Sequence, residues 1–174
     1  MDLFGGITFV SRNNTQYYTI TLMAEKIIVT GGTGYIGSHT TVELMQAGYE
    51  VIAVDNLSNS TPDVIDGIAR ITGRRPTFYE ADCNDRAAMD RIFAQHAPIG
   101  GIIHFAASKA VGESVREPLL YYRNNIVSLL NLLELMPVHG VRGIVFSSSC
   151  TVYGQPAPSD LPVTEDAPIR PATS

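Results

Sequence analysis

Between residues 26 and 147, short β-branched and aliphatic runs alternate with stretches whose apolar residues recur at helical spacing. Lys26-Ile27-Ile28-Val29-Thr30, Glu50-Val51-Ile52-Ala53-Val54, Thr77-Phe78-Tyr79-Glu80, Gly101-Ile102-Ile103-His104-Phe105 and Gly143-Ile144-Val145-Phe146-Ser147 read as strands. Residues 35–47, 63–72, 85–95 and 118–136 read as helices. The first carries apolar Ile36, Val42, Leu44, Met45 and Ala47. Gly48 and Gly73 stand where the first two helices should stop, and Asn84 where the third should be capped. Pro118 suits the opening of the fourth, and Pro137 its end. This alternation predicts an α/β fold, a parallel sheet doubly wound by helices on both faces.

The ends of the chain depart from the pattern. Residues 1–22 hold Arg12 as their only base and no long apolar run, unlike a secretory signal. Residues 16–22 have strand character without an evident partner. Met23 directly precedes the first strand, so we expect an extension over 1–22, with Met23 as the natural start, and a dinucleotide-binding domain over 23–174. Beyond Tyr153, prolines at 156, 158, 162, 168 and 171 predict an irregular loop.

The first strand runs into Thr30-Gly31-Gly32-Thr33-Gly34-Tyr35-Ile36-Gly37, a GxxGxxG spacing. Gly31 permits a tight turn, Gly34 a close approach of backbone to a pyrophosphate, and Gly37 close packing of the helix on the sheet. The helix N-terminus offers unpaired N–H groups to phosphate. The second strand ends in Asp55, 18 residues beyond Gly37, where a Rossmann-like fold places a carboxylate to accept the adenosine ribose hydroxyls. A carboxylate there repels a 2′-phosphate, and Asn56 rather than Arg follows it, which favours NAD over NADP.

Composition narrows the remaining choices. A length of 174 residues, 45% hydrophobic and 17% charged, fits one folded domain. A net charge of −5 points to neither nucleic acid nor an anionic membrane. The apolar runs are strand-length and too short to span a bilayer. Cys83 and Cys150 lack metal or redox spacing and read as free thiols of a reducing, cytoplasmic setting.

Chemistry in such a sheet collects at the carboxyl ends of its strands. Asp82 follows the third, as a receiver for an adenine amino group or a helix-starting acid. Phe105-Ala106-Ala107-Ser108-Lys109 follows the fourth, its small residues suited to a cofactor and its lysine to a phosphate or ribose. His104 reads as a packed strand residue. Ser147-Ser148-Ser149 follows the fifth, as hydroxyls for a substrate oxygen or as a turn.

TGGTGYIGSHT, the segment 55–60, HFAASKAVGES, EPLLYYRNNIVSLLNLLE and FSSSCTVYG together resemble the UDP-glucose 4-epimerase family, part of the extended short-chain dehydrogenase/reductases. The resemblance covers residues 26–174. It implies that Tyr35 and Ile36 join the glycine loop at the pyrophosphate, and that Asp55, Asn56, Leu57, Ser58, Asn59 and Ser60 hold the adenosine ribose. Asp82 and Cys83 would flank the adenine. Phe105, Ala106, Ala107 and Lys109 would line the cofactor groove, with Asn124 reaching it from the long helix. Ser149 would be the catalytic serine, bonded to the sugar hydroxyl that loses its proton. The family activity is epimerisation at the sugar C4 by transient oxidation with bound NAD, on a UDP-sugar. Its base is a tyrosine followed four residues later by lysine. None of the eight tyrosines here has that lysine, and the family's Tyr-x-x-x-Lys helix lies just past Pro171-Ala172-Thr173-Ser174. The expectation is a sheet truncated before the C-terminal substrate domain, inactive alone. The alternatives are a non-catalytic dinucleotide-binding protein and a 4-epimerase for another UDP-sugar. The family often forms homodimers through two helices. The long helix from Pro118 is the candidate, although Ile126, Leu129, Leu130 and Leu133 read first as core.

Overall fold

A computed structural model describes residues 7–10, 17–20 and 24–171 of the chain. Strands β1 (Ile7–Val10) and β2 (Tyr17–Ile20) pair antiparallel as a separate two-stranded sheet. The strand expected within 16–22 is thus present, and its partner is Ile7–Val10, a β-branched and aromatic run that the sequence reading did not assign. The placing of the natural start at Met23 lies outside the described residues.

The main sheet contains β3 (Lys26–Thr30), β4 (Glu50–Asp55), β5 (Thr77–Glu80), β6 (Gly101–His104) and β7 (Gly143–Phe146). All its pairings are parallel, and the order is β5-β4-β3-β6-β7. The central strands β3 and β4 are covered on both faces, which is why they read as continuous apolar runs, whereas the edge strand β7 leaves Val145 and Phe146 exposed. On one face Val29, Val51 and Ala53 pack with Met45, Ile65 and Ile68 of α1 (Tyr35–Gln46) and α2 (Asp63–Thr72). On the other, Ile28, Ile52, Val54 and Ile102 pack with Met89, Phe93, Leu132 and Leu135 of α3 (Arg86–His96) and α6 (Ser128–Val138). The fold is the expected Rossmann-like α/β.

Local differences have local causes. The buried face of α1 is Gly37, Thr41 and Met45; of the apolar residues read on this helix Met45 is buried, whereas Ile36 is exposed because the helix turns Gly37 toward the glycine loop. Its ending is as read: Gly48 takes φ +96, with Tyr49 N donating to Leu44 O at 3.0 Å and Gly48 N to Met45 O at 3.2 Å. The cap of α3 is Asp85 rather than Asn84. Its Oδ1 accepts Ala88 N at 3.0 Å, while Asn84 turns to Asp82. The fourth helix is not uniform. A short α4 (Val111–Arg116) precedes α5 (Pro118–Tyr122), and a π-helical segment, Arg123–Val127, joins α5 to α6. Pro137 lies inside the last turn of α6, and the stop is Gly140 at φ +70, with Val141 N donating to Met136 O at 2.9 Å. Past β7, residues 150–153 and 158–160 form single 3-10 turns in an otherwise irregular loop, which Arg170 N closes onto Val152 O at 2.8 Å.

No helix among the described residues is long and apolar enough to cross a membrane.

Candidate functional site

The strand order reverses between β3 and β6, and the loops leaving these strands part above the carboxyl edge of the sheet, where α/β folds bind ligands. Thr30 ends β3. Gly31 then turns the chain at φ +68, with its N–H donating to Val54 O at 2.8 Å. A Cβ on Gly31 would lie 2.9 Å from the backbone nitrogen of Ala106, so the loops after β3 and β6 touch backbone to backbone. A Cβ on Gly37 would run into the Gly31 carbonyl oxygen and lie 2.8 Å from its carbon. Gly37 is therefore required by its own loop rather than by the sheet. A Cβ on Gly34 would meet only Gly31 O, at 3.2 Å.

The N-terminus of α1 has Gly34 as its cap, no side-chain capping bond and no acid in its first turn. By contrast α3 is capped by Asp85. The first N–H groups of α1 lack a side-chain acceptor, as do those of α2, α4, α5 and α6, but here they open from the glycine turn, with Tyr35 and Ile36 exposing 79% and 53% of their surface beside them. A donor set of this kind, carrying the positive end of the helix dipole, fits a pyrophosphate.

Asp55 lies buried at the carboxyl end of β4. Its Oδ2 accepts Thr33 N at 3.1 Å, and its Oδ1 accepts Leu57 N at 2.9 Å and Ser60 Oγ at 3.2 Å. Leu57 takes φ +57, a left-handed conformation uncommon outside glycine, which aims its N–H back at the carboxylate. Asn56 donates to Asp82 Oδ2 at 3.3 Å, Ser58 N donates to Asn56 Oδ1 at 3.1 Å, and Asn59 is exposed.

From Asp82 a chain of amides crosses the edge. Asn84 Nδ2 donates to Asp82 Oδ1 at 2.9 Å and to Asn124 Oδ1 at 3.0 Å. Asn124 Nδ2 donates to Ser108 Oγ at 2.7 Å. Asn125 accepts Ser108 N at 2.8 Å and donates to Ser108 O at 2.9 Å. The π-helical segment presents these two consecutive asparagines to one loop residue, and so fixes the loop bearing Phe105, Ala106, Ala107 and the exposed Lys109. Sequence reasoning gave Asn84 only a capping role and passed over the bonds of Ser108 and Asn125, because polar side chains in loops and on helices carry no periodic signal.

Cys83 is turned into the core, where burial pushes its thiol up to about 12 and leaves it uncharged at neutral pH. Only its backbone remains for the expected adenine contact; its carbonyl accepts Asn131 Nδ2 at 2.9 Å. His104 is a packed strand residue, bonded through Nδ1 to Thr30 Oγ1 at 2.6 Å. Ser149 follows β7 in the open. Its Oγ lies 2.7 Å from Thr151 Oγ1 and accepts Thr151 N at 3.3 Å. Among the described residues no His, Cys, Asp or Glu cluster could hold a metal ion.

The family model described as "NAD dependent epimerase/dehydratase family" matches residues 27–174. A UDP-glucose 4-epimerase of Bacillus subtilis is 55% identical over 143 residues, 82% of this chain and 41% of that protein. A UDP-glucose 4-epimerase structure from Stenotrophomonas maltophila, with bound NAD and formylated UDP-arabinopyranose, superposes with a TM-score of 0.80 at 47% identity, over 86% of this chain and 44% of that one. A Bifidobacterium longum UDP-glucose 4-epimerase in complex with NAD+ and UDP gives 0.78 at 48% identity, over 83% and 42%. The chain spans about two fifths of the length of these relatives.

Proposed function

Since the chain belongs to the NAD dependent epimerase/dehydratase family, we propose that it is the NAD-binding part of a UDP-sugar 4-epimerase acting between UDP-glucose and UDP-galactose. The observation that carries the reading is the uncapped, glycine-lined start of α1 beside a fixed Asp55 carboxylate. The N–H groups of that turn hold a pyrophosphate, with Gly34 keeping the approach open. Asp55 accepts a ribose hydroxyl, and its charge opposes a 2′-phosphate. Asn56, Leu57, Ser58, Asn59 and Ser60 shape the ribose side, Asp82 and the backbone of Cys83 the adenine side. Phe105, Ala106, Ala107, Lys109 and Asn124 line the opposite wall. Bound NAD supplies reversible oxidation of a sugar carbon. Ser149, whose hydroxyl is exposed, hydrogen-bonds the sugar hydroxyl that loses a proton.

Titration of NADH into the chain, followed by its fluorescence, tests this reading. Saturable binding is expected with Kd at or below about 1 mM, roughly 4 kcal/mol; no binding overturns it. Incubation of the chain with UDP-glucose and NAD is expected to give no UDP-galactose, because no tyrosine in the sequence is followed by lysine at the fourth position. A general base contributes about two to four orders of magnitude. Ready conversion would show that another residue serves as base.

A homodimer is part of the same proposal. Ile126, Leu130 and Leu133, read from sequence as core, are 47%, 49% and 43% exposed and continue the exposed line of Leu119 and Tyr122 along the helix. The core face is formed instead by Leu132, Leu135 and Met136. This outer stripe suits pairing with the same helix of a second copy. Leu130→Arg should convert a dimer in sedimentation velocity to a monomer; a parent chain that sediments as a monomer throughout the micromolar range defeats the pairing.

A further inference from the structure

Thr33 stands in the glycine loop between Gly32 and Gly34, is 3% exposed, and reaches Asp55 by two routes, directly to Oδ2 and through Ser60 to Oδ1. Its backbone N–H donates to Oδ2 at 3.1 Å. Its hydroxyl lies 2.7 Å from Ser60 Oγ, which donates to Oδ1 at 3.2 Å. The order of donors follows from chemistry. An ionised carboxylate only accepts, so Ser60 gives its proton to Oδ1, and Thr33 Oγ1 must donate to Ser60 Oγ. Both arms of the ring therefore start at Thr33 and end on one carboxylate.

The ring limits what Asp55 can still accept. A carboxylate offers about four acceptor positions. Ser60 and Leu57 N fill those of Oδ1, and Thr33 N takes one of Oδ2. One position remains, on Oδ2, in an orientation fixed from two sides. We propose that Thr33 is the positioning residue for ribose recognition. Through Ser60 it holds the Asp55 carboxylate so that one oxygen faces a ribose hydroxyl and the charge cannot swing away from a 2′-phosphate. Thr33 thereby ties the loop that meets the pyrophosphate to the acid that meets the ribose, and it determines the preference between NAD and NADP. This inference rests on the dinucleotide reading given above.

The test is a titration of NADH and NADPH into the full chain and into Thr33→Val, Thr33→Ser and Ser60→Ala. Valine keeps the volume and the backbone N–H but not the hydroxyl; serine keeps the hydroxyl. Thr33→Val is expected to weaken NADH binding roughly five- to tenfold, as for loss of a hydrogen bond supporting a charged group, and NADPH binding less. The preference then narrows, and Thr33→Ser restores it. Ser60→Ala should narrow it as Thr33→Val does, and it decides the matter if the valine variant fails to fold. A merely structural role would weaken both nucleotides together, so an unchanged ratio in Thr33→Val or Ser60→Ala overturns the inference. So does a serine variant that behaves like valine. A parent chain that binds neither nucleotide removes the dinucleotide reading and this inference with it. A parent that binds both nucleotides equally leaves the dinucleotide reading intact and overturns only the role of Thr33.

Discussion

Gly37→Ala is expected to abolish dinucleotide binding and to destabilise the chain by more than about 3 kcal/mol, near 10 °C in melting temperature for a domain of this size. The new methyl group would overlap the Gly31 carbonyl oxygen and lie 3.1 Å from Gly32 Cα. Neither is the tip of a flexible side chain, so relief requires the loop to move. That loop is fixed by Gly31 N on Val54 O at 2.8 Å and by Gly34 N on Gly31 O at 3.0 Å. Moving it opens the N-terminal turn of α1 and pulls Thr33 off Asp55. Gly67 provides the contrast. It also lies inside a helix, α2, but a Cβ there meets only the Arg70 guanidinium, at 4.0 Å. Gly67→Ala should therefore stabilise the chain by up to about 1 kcal/mol through helix propensity alone. Thermal denaturation followed by circular dichroism, with NADH titration, compares the two. A Gly37→Ala chain melting within a degree or two of the parent would show that the loop yields and that the overlap has no consequence.

The glycine loop was legible because its residues are chosen by backbone geometry, which sequence records directly. The buried strands were legible for a related reason: a parallel sheet covered on both faces leaves unbroken apolar runs such as Val51 to Val54. What escaped depends on partners distant in sequence. Thr33 stands between two glycines, and its importance appears only when Ser60, 27 residues on, is brought beside it. The grip on the loop after β6 comes from a π-helical segment, whose residues lie at other angles than the α-helical period assumes. The long helix shows why apolar spacing alone misled. It carries one stripe through Leu132, Leu135 and Met136 and another through Ile126, Leu130 and Leu133, and either could be core until the sheet selects the first.

Acid should destabilise this chain well before its carboxylates are protonated, because His104 is held neutral. The ring is 1% exposed, between Thr30 Oγ1 at 2.6 Å and Ser128 Oγ at 3.5 Å. Burial, unopposed by any carboxylate among the described residues, lowers its pKa from 6.5 to about 4. In the unfolded chain the ring takes up a proton as the pH falls through about 6.5; in the folded chain it does so only near 4. Unfolding therefore binds a proton between these values, and stability falls as the pH is lowered through that window. Above about pH 7 this contribution is fully present, and below about 4 no more is lost from this residue. At 1.4 kcal/mol per unit, the loss is on the order of 3 kcal/mol, a large part of a typical domain's stability. His96 adds in the same direction, its pKa lowered by burial and by Lys26. His104→Gln retains hydrogen-bonding capacity without a titrating ring. Its baseline stability should fall, while the slope of stability against pH between 6.5 and 4 should flatten relative to the parent. Urea denaturation at half-unit pH intervals measures both slopes. Equal slopes would mean that the His104 ring finds a proton acceptor or water when it charges, and that the Thr30–His104–Ser128 line is not the dry, neutral strut that fixes the end of β6 beneath the site.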